Sequence, residues 1–361
     1  MSEFAAFGHA RTSSSPRPRA IAGWLAVVAA LVFTMVVVGG ITRLTESGLS
    51  MVRWEPISGA VPPMNATEWQ AEFDAYKATP EYRKVNRGMS IDEFKAIFFW
   101  EYLHRLIGRL IGVAFALPLA WFAWRRAIPP GFGPRLVVLL VRGGMQGVIG
   151  WWMVASGLID RPDVSHIRLA VHLNLALLIL GALTWTALDM LAIARDRAAR
   201  RARMTGFAFA MLAVFALQLV LGAFVAGLDA GFAFAEWPTM GGRLFPEGVA
   251  LLEPAWRNAV DHPIVVQFIH RWLAWAAAAA LILLALRARR LGASGHALPM
   301  MLALVSLQIA LGIATLLTGV EIVVAVAHQA VAALLVIGAS ATAHAIGRRD
   351  APRRGRHVTV S

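Results

Sequence analysis

Residues 20–41 read AIAGWLAVVAALVFTMVVVGGI, a stretch with no Asp, Glu, Lys or Arg. A helix needs about 20 apolar residues to cross a hydrocarbon core, so this stretch is long enough to span a membrane. The apolar core of a cleaved signal would be shorter, roughly 7–15 residues, and would end at a small-residue cleavage site. The stretch therefore predicts a retained transmembrane helix. Comparable runs at about 96–124, 136–157, 167–191, 205–228, 263–286, 297–318 and 322–346 bring the total to eight spans. Without the alternation of a barrel, only helices satisfy that much backbone in lipid, and the expected fold is an all-α integral membrane protein.

Composition agrees. The 361 residues are 58% hydrophobic and 15% charged, against roughly 45–50% and about 25% in soluble domains, which excludes an ordinary soluble globule. The formal charge of +13 comes from 34 Lys and Arg against 21 Asp and Glu, and its placement decides its meaning. Arg11, Arg17 and Arg19 precede the first span, and Arg125, Arg126 and Arg135 join the second to the third. Arg195, Arg197, Arg200, Arg201 and Arg203 join the fourth to the fifth, Arg287, Arg289 and Arg290 the sixth to the seventh, and Arg348, Arg349, Arg353, Arg354 and Arg356 follow the eighth. The positive-inside rule then places both termini in the cytoplasm, in a bacterial inner membrane. The basic balance is topological; no nucleic-acid-reading motif accompanies it, and the partner surface is lipid rather than nucleic acid. The absence of cysteine excludes disulfides, cysteine-ligated zinc, iron–sulfur clusters, thiolate-ligated heme and thiol nucleophiles. Ten histidines are left as the best metal ligands.

Two long loops, roughly 42–95 and 229–262, face the opposite side. Asn65-x-x-Glu68 resembles a capping box, with Trp69, Phe73 and Tyr76 following at helical spacing. An outer amphipathic helix is expected there, read as a lid on the membrane surface in preference to a direct ligand-binding element. Ser90-x-x-Glu93 is a second capping signal, at the start of the helix that becomes the second span.

The chain is duplicated. Gly39, Glu46, Gly48 and Trp54 match Gly222, Asp229, Gly231 and Trp237 at an offset of 183. Glu101-Tyr-Leu-His104-Arg105 matches Gln267-Phe-Ile-His270-Arg271 at 166, Gln146, Gly150 and Gly157 match Gln308, Gly312 and Gly319 at 162, and His172 matches His328 at 156. Four spans per repeat is an even number, so both repeats enter the membrane from the same face, unlike inverted repeats. The expected architecture is two tandem four-helix bundles related by a pseudo-twofold axis along the membrane normal. A tail of residues 1–20 precedes a first bundle over 21–191, which carries the outer loop 42–95. A basic linker over 192–204 leads to a second bundle over 205–346 and a basic tail over 347–361.

An ionisable residue within a span marks a functional site by default. His104, His172, His270 and His328 recur at matched places, roughly 9–12 Å below the outer ends of their helices at 1.5 Å per residue. Facing helices then present two imidazoles at one height, the arrangement that a bis-histidine heme needs. Zinc would require further Asp, Glu or His ligands at the same depth, and the sequence shows no such cluster. Arg105 and Arg271, each following a histidine, either pair with heme propionates or snorkel to the interface. Glu101 stands one turn before His104 on the same face, whereas its counterpart is the neutral Gln267. Beside a metal centre a carboxylate can take or give a proton, and it can also salt-bridge Arg105 at i+4. The first bundle thus reads as the chemical one and the second as a cofactor holder. His9, His166, His262, His296, His344 and His357 lie in tails or near helix ends without a repeat partner and read as structural or solvated.

With GGITRLTESGLS at 39–50, Glu101-Tyr-Leu-His104-Arg105, and the duplicated spans bearing His172, His270 and His328, the chain resembles the heme A synthase family from about residue 21 to 346. The long first outer loop is similar to that of the proteobacterial and mitochondrial branch. Bacillus-type members carry an outer-loop cysteine pair that this chain lacks. The resemblance implies oxidation of heme o to heme a, in which a ring methyl is hydroxylated twice and the geminal diol loses water to give a formyl group. By motif, His104 and His172 would hold the substrate heme with Glu101 as the catalytic carboxylate, and His270 and His328 would ligate a permanent heme b that passes electrons. It also implies heme O synthase and cytochrome oxidase assembly factors as partners, and a homo-oligomer as a candidate assembly; no residue pattern names an electron donor. Two axial imidazoles leave iron no open position, so either one histidine lets go or the methyl is oxidised by electron removal and water attack. Glu101 could serve either route. Two other classes fit parts of the pattern: a di-heme membrane cytochrome, which leaves the Glu101/Gln267 difference idle, and a heme transporter, which predicts less strict histidine pairing.

Overall fold

The computed structural model describes residues 16–53, 58–159 and 162–349. Eight of its helices are long and apolar enough to cross a membrane, and no strand occurs among the described residues. The first is α1 (Pro18–Leu44), followed by the outer helices α2 (Ala66–Lys77) and α3 (Pro80–Lys84). Then come α4 (Ile91–Trp124), α5 (Gly133–Val154), α6 (His166–Arg195) and α7 (Gly206–Gly227). The short α8 (Asn258–Asp261) precedes α9 (Pro263–Arg290), α10 (Ala297–Leu317) and α11 (Ile322–Arg349). His9, His357, Trp54, Arg11, Arg353, Arg354 and Arg356 lie outside the described residues.

Local chemistry sets the helix starts. The predicted box at Ser90 is complete: the Glu93 amide donates to Ser90 Oγ at 3.3 Å and the Ser90 amide to Glu93 Oε2 at 2.7 Å. From that cap α4 runs 34 residues, about 51 Å at 1.5 Å per residue, well beyond a hydrocarbon core of about 30 Å. Its first turns therefore stand outside the core and carry an aromatic shelf. Phe73 and Tyr76 of α2 pack on Phe94 at ring distances of 5.0 and 5.2 Å, and Trp69 meets Phe98 edge-on at 5.0 Å. At Asn65 the cap differs from the expectation. Asn65 Oδ1 accepts from the Glu68 amide at 3.0 Å, but the return bond from Glu68 goes to the amide of Met64, one residue earlier. The sequence pattern gave no sign of α3, which starts at Pro80 behind the cap of Thr79.

In the N-terminal half, α1 packs on α4 and extensively on α6, α4 on α5, and α5 on α6. In the C-terminal half, α7 packs on α9, α9 on α10, and α10 on α11, while α7 and α11 barely meet and α11 leans on α9 instead. The halves join through α6 against α7 and α11, and through α1 against α11. One apolar core, including Leu25, Leu180, Leu284 and Ala343, runs through both. Polar ties fasten the seam at each end. On one side the Arg43 guanidinium donates to both Asp229 oxygens at 2.8 Å. On the other, buried Asp189 of α6 accepts from Arg135 of α5 at 2.6 Å and from the amide of Ala202 at 3.0 Å, and lies 3.0 Å from His344 Nε2 of α11. A buried carboxylate so partnered is tolerable where a lone one would not be. The basic connections gather at that second end: Arg17 donates to Ala127, Arg201 to Pro130 and Arg348 to Arg200, each through a carbonyl.

Candidate functional site

The chain leaves α1 through a tight turn that decides what Glu101 meets. Glu46 takes a left-handed backbone (φ 52°), and the Ser47 amide folds back onto the Thr42 carbonyl at 2.9 Å. Ser50 and Met51 are thereby laid against α4. Ser50 Oγ and the Met51 amide each donate to Glu101 Oε2 at 2.7 Å, and Arg105 donates to Oε1 at 2.5 Å. Glu101 is 2% exposed, and three donors hold its carboxylate in one place, one turn before His104. The expected i+4 ion pair with Arg105 is present.

The same turn recurs after α7, with Asp229 at φ 50°, and meets Gln267 with opposite chemistry. Gln267 Nε2 donates to the carbonyls of Phe234 at 3.2 Å and Gly231 at 3.5 Å, while its Oε1 is buried without a partner. Carboxylate oxygens only accept and an amide nitrogen only donates; one loop supplies donors, the other acceptors.

Arg105 and Arg271 clamp those loops. Arg105 donates to Met51 at 2.8 Å and Arg53 at 3.1 Å, and Arg271 to Phe234 at 2.9 Å, Glu236 at 2.9 Å and Thr239 at 3.0 Å, all through carbonyls. Arg271 Nε is buried with no partner among the described residues.

The structure brings the four histidines together in twos. His104 of α4 and His172 of α6 lie within electrostatic range of each other, as do His270 of α9 and His328 of α11. Each is surrounded by protein yet keeps accessible surface. Each faces a glycine on a neighbouring helix. A Cβ at Gly39, Gly150, Gly222 or Gly312 would lie 3.4, 3.1, 3.1 or 2.9 Å from the ring of His104, His172, His270 or His328 respectively. Small residues let helices approach closely around such a ring. Among the described residues no group of three or more His, Asp or Glu side chains could hold a metal ion; the donor sets are pairs of imidazoles, which fits heme and not tetrahedral zinc.

Glutamine amides line the same place. Gln218 Nε2 lies 3.0 Å from His270 Nδ1 and donates to the His270 carbonyl at 3.1 Å. His328 Nδ1 lies 3.1 Å from the Gln308 carbonyl, and Gln308 Nε2 3.3 Å from His328 Nε2. Gln146 donates only to the backbone of His172, at 3.1 Å, and His172 Nδ1 is buried without a partner. Among the described residues the Oε1 atoms of Gln146, Gln218 and Gln308 are all buried without a partner. An imidazole that binds iron through Nε2 presents Nδ1–H to an acceptor, as His328 Nδ1 does toward the Gln308 carbonyl at 3.1 Å, so the residues present fit the group.

Sequence reasoning had matched Gln146 with Gln308 and the four glycines in their repeats, but assigned them no role. It passed over Gln218, because the equivalent position in α1 is Met35. It also passed over Glu81 of α3, a carboxyl 4% exposed beside Tyr76, with Oε2 unpartnered. Burial, helped by the charges of Glu101, Glu46 and Asp163, pushes it up to about 8. Only the missed α3 could have flagged it. Of the six histidines outside the repeat, His344 is tied to Asp189 and His166 lies 3.2 Å from Asp261 of α8.

Comparison with known proteins shows the family. The pattern of the COX15-CtaA family, described as cytochrome oxidase assembly protein, matches residues 22–339. A heme A synthase of Rhizorhabdus wittichii is 57% identical over 326 residues, covering 89% of this chain and 92% of the relative. Those of Sphingopyxis alaskensis and Novosphingobium aromaticivorans are 50% and 46% identical, over 97% and 93% of this chain and 99% of each relative. The chain belongs to the COX15-CtaA family of cytochrome oxidase assembly proteins, to which these heme A synthases are its relatives.

Proposed function

We propose that this membrane oxidoreductase converts heme o to heme a, with the substrate heme between His104 and His172 and a permanent heme b between His270 and His328. The observation that carries the division of labour is the Glu101/Gln267 difference: a carboxylate wrapped in donors on one side, a neutral amide wrapped in acceptors on the other. Glu101 takes or gives the proton as the ring methyl is oxidised to a formyl group by successive hydroxylations. Ser50 and the Met51 amide keep its carboxylate aimed, and Arg105 balances its charge. Heme b, when bound, supplies one-electron transfer. Arg105 and Arg271 are the propionate-side cations, Arg271 Nε being a buried donor still to be used.

Around these sites the reading takes residues 21–191 and 205–346 as two tandem units related by a pseudo-twofold axis along the membrane normal. Both termini face the cytoplasm of a bacterial inner membrane. Heme O synthase is the source of substrate, and cytochrome oxidase assembly factors receive product.

The test is expression in cells that make heme o, with pigment extraction from wild type and Glu101→Gln. General acid–base catalysis contributes about 10²–10⁴-fold, so heme a should form with the wild type and fall at least a hundredfold in the variant, while bound heme b persists. Undiminished conversion by Glu101→Gln would overturn the carboxylate's role.

A further inference from the structure

The two halves also differ at the arginine-bearing end of their spans. α1 and α7 end at Leu44 and Gly227, 183 positions apart, and α4 and α9 at Trp124 and Arg290, 166 apart, so the repeat offsets hold along whole helices. Trp24 of α1 then corresponds to Phe207 of α7, and Trp121 and Trp124 of α4 correspond to Arg287 and Arg290 of α9. In the N-terminal half Pro118 has no N–H and leaves the Ala114 carbonyl without its helical donor. Trp24 Nε1 donates to that carbonyl at 2.7 Å, and its ring packs on Phe115 and Phe122 at 4.9 and 5.6 Å. The C-terminal half has no equivalent of this bond: position 284 is leucine, and Phe207 carries no ring N–H. Phe207 is 41% exposed, and a cleft of about 360 Å³ opens between it and Leu283, Leu286, Arg287 and Arg290.

Those four α9 residues stand at i, i+3, i+4 and i+7, one stripe of the helix. Over about 10 Å of rise the stripe passes from leucine to arginine, as a phospholipid passes from acyl chain to phosphate. The charge there is unbalanced: over 192–204 and 287–296, Asp196 is the only acid among eight arginines. We infer that this cleft binds one anionic phospholipid, its phosphate on Arg287 and Arg290 and an acyl chain along Leu286, Leu283 and Phe207. Basic pockets between transmembrane helices take such headgroups, and the volume falls within the roughly 300–1,000 Å³ of ligand sites. The equivalent N-terminal place, with tryptophans where the arginines stand, offers no cation pair to a phosphate.

The test is native mass spectrometry of the full chain in neutral detergent, titrated with phosphatidylglycerol and, separately, with phosphatidylcholine of the same acyl chains. A basic side chain near an anionic lipid is worth about fivefold in binding, so the wild type should take its first phosphatidylglycerol at least about tenfold more tightly than phosphatidylcholine. Arg287→Gln combined with Arg290→Gln should bring the two lipids level. If that double variant does not purify as a single species, Arg290→Gln alone should still lose about fivefold of the preference. Leu283→Trp, which refills the cleft, should weaken phosphatidylglycerol about tenfold. Arg289→Gln, on another face of α9, should leave the preference in place. The inference is overturned by a wild type without preference, by an unchanged preference in the arginine variants, or by an equal loss in Arg289→Gln, which would mean diffuse charge. Unchanged binding by Leu283→Trp would make this a phosphate site without an acyl chain, and a lipid-free dimer would make the cleft a contact between copies; either overturns it as well.

Discussion

The two halves repeat one backbone and diverge in what surrounds it. After α1 and after α7 the chain makes the same left-handed turn, at Glu46 and at Asp229, and an arginine from the next long span clamps each loop. In the N-terminal half that loop turns a hydroxyl and an amide toward a carboxylate, and His172 Nδ1 has no partner among the described residues. In the C-terminal half the loop turns carbonyls toward an amide, and both rings have partners. Duplication supplied the frame; substitution at a few polar positions changed what surrounds Glu101 in one half and Gln267 in the other.

The hardest blow to this contrast falls on the C-terminal side. His270→Ala should empty the second site, so that the absorption spectrum of the purified protein loses its heme b contribution altogether; a full heme complement would break the pairing of His270 with His328. Next in size is Ser50→Ala in the N-terminal half. A hydrogen bond to a charged group is worth about 1.5–3 kcal/mol, so heme a formation should drop roughly tenfold or more with heme content intact. An equal rate would mean that the Met51 amide and Arg105 suffice to aim Glu101.

The smallest effect concerns Glu81, on the short outer helix α3. Burial holds its carboxyl protonated up to about 8, against an ordinary value of 4.5. The folded state therefore keeps a proton that the unfolded chain gives up on passing 4.5. Its stabilising contribution is complete below that pH, declines as pH rises between the two values, and is gone above about 8. Thermal melts in detergent should show the wild type losing more stability between pH 6 and pH 9 than Glu81→Gln, which has no proton to lose. Parallel pH profiles would show that Glu81 does not ionise in that window.

What could be read from residues in order, and what could not, divides along physical lines. Membrane insertion depends on apolar content summed over about 20 neighbours, so the eight spans, the all-α class and the outer loops were legible. The cap at Ser90 needs only Glu93 three residues on, and it was legible too. The four histidines could be found because repeat spacing and helical rise put them at matched depths. Hydrogen bonds across the bundle follow no such local rule. Ser50 meets Glu101 from 51 positions away and Gln218 meets His270 from 52, distances set by how whole helices pack. Glu81 sits in a polar stretch that reads as solvated until Tyr76 and the acidic groups around it close over it. The sequence by itself determined how many helices cross the membrane and at what height their imidazoles lie, because burial in lipid is a sum over neighbours. Only the tertiary structure decided which of those imidazoles are held, because a hydrogen bond needs its partner within about 3 Å and that partner lies on another helix.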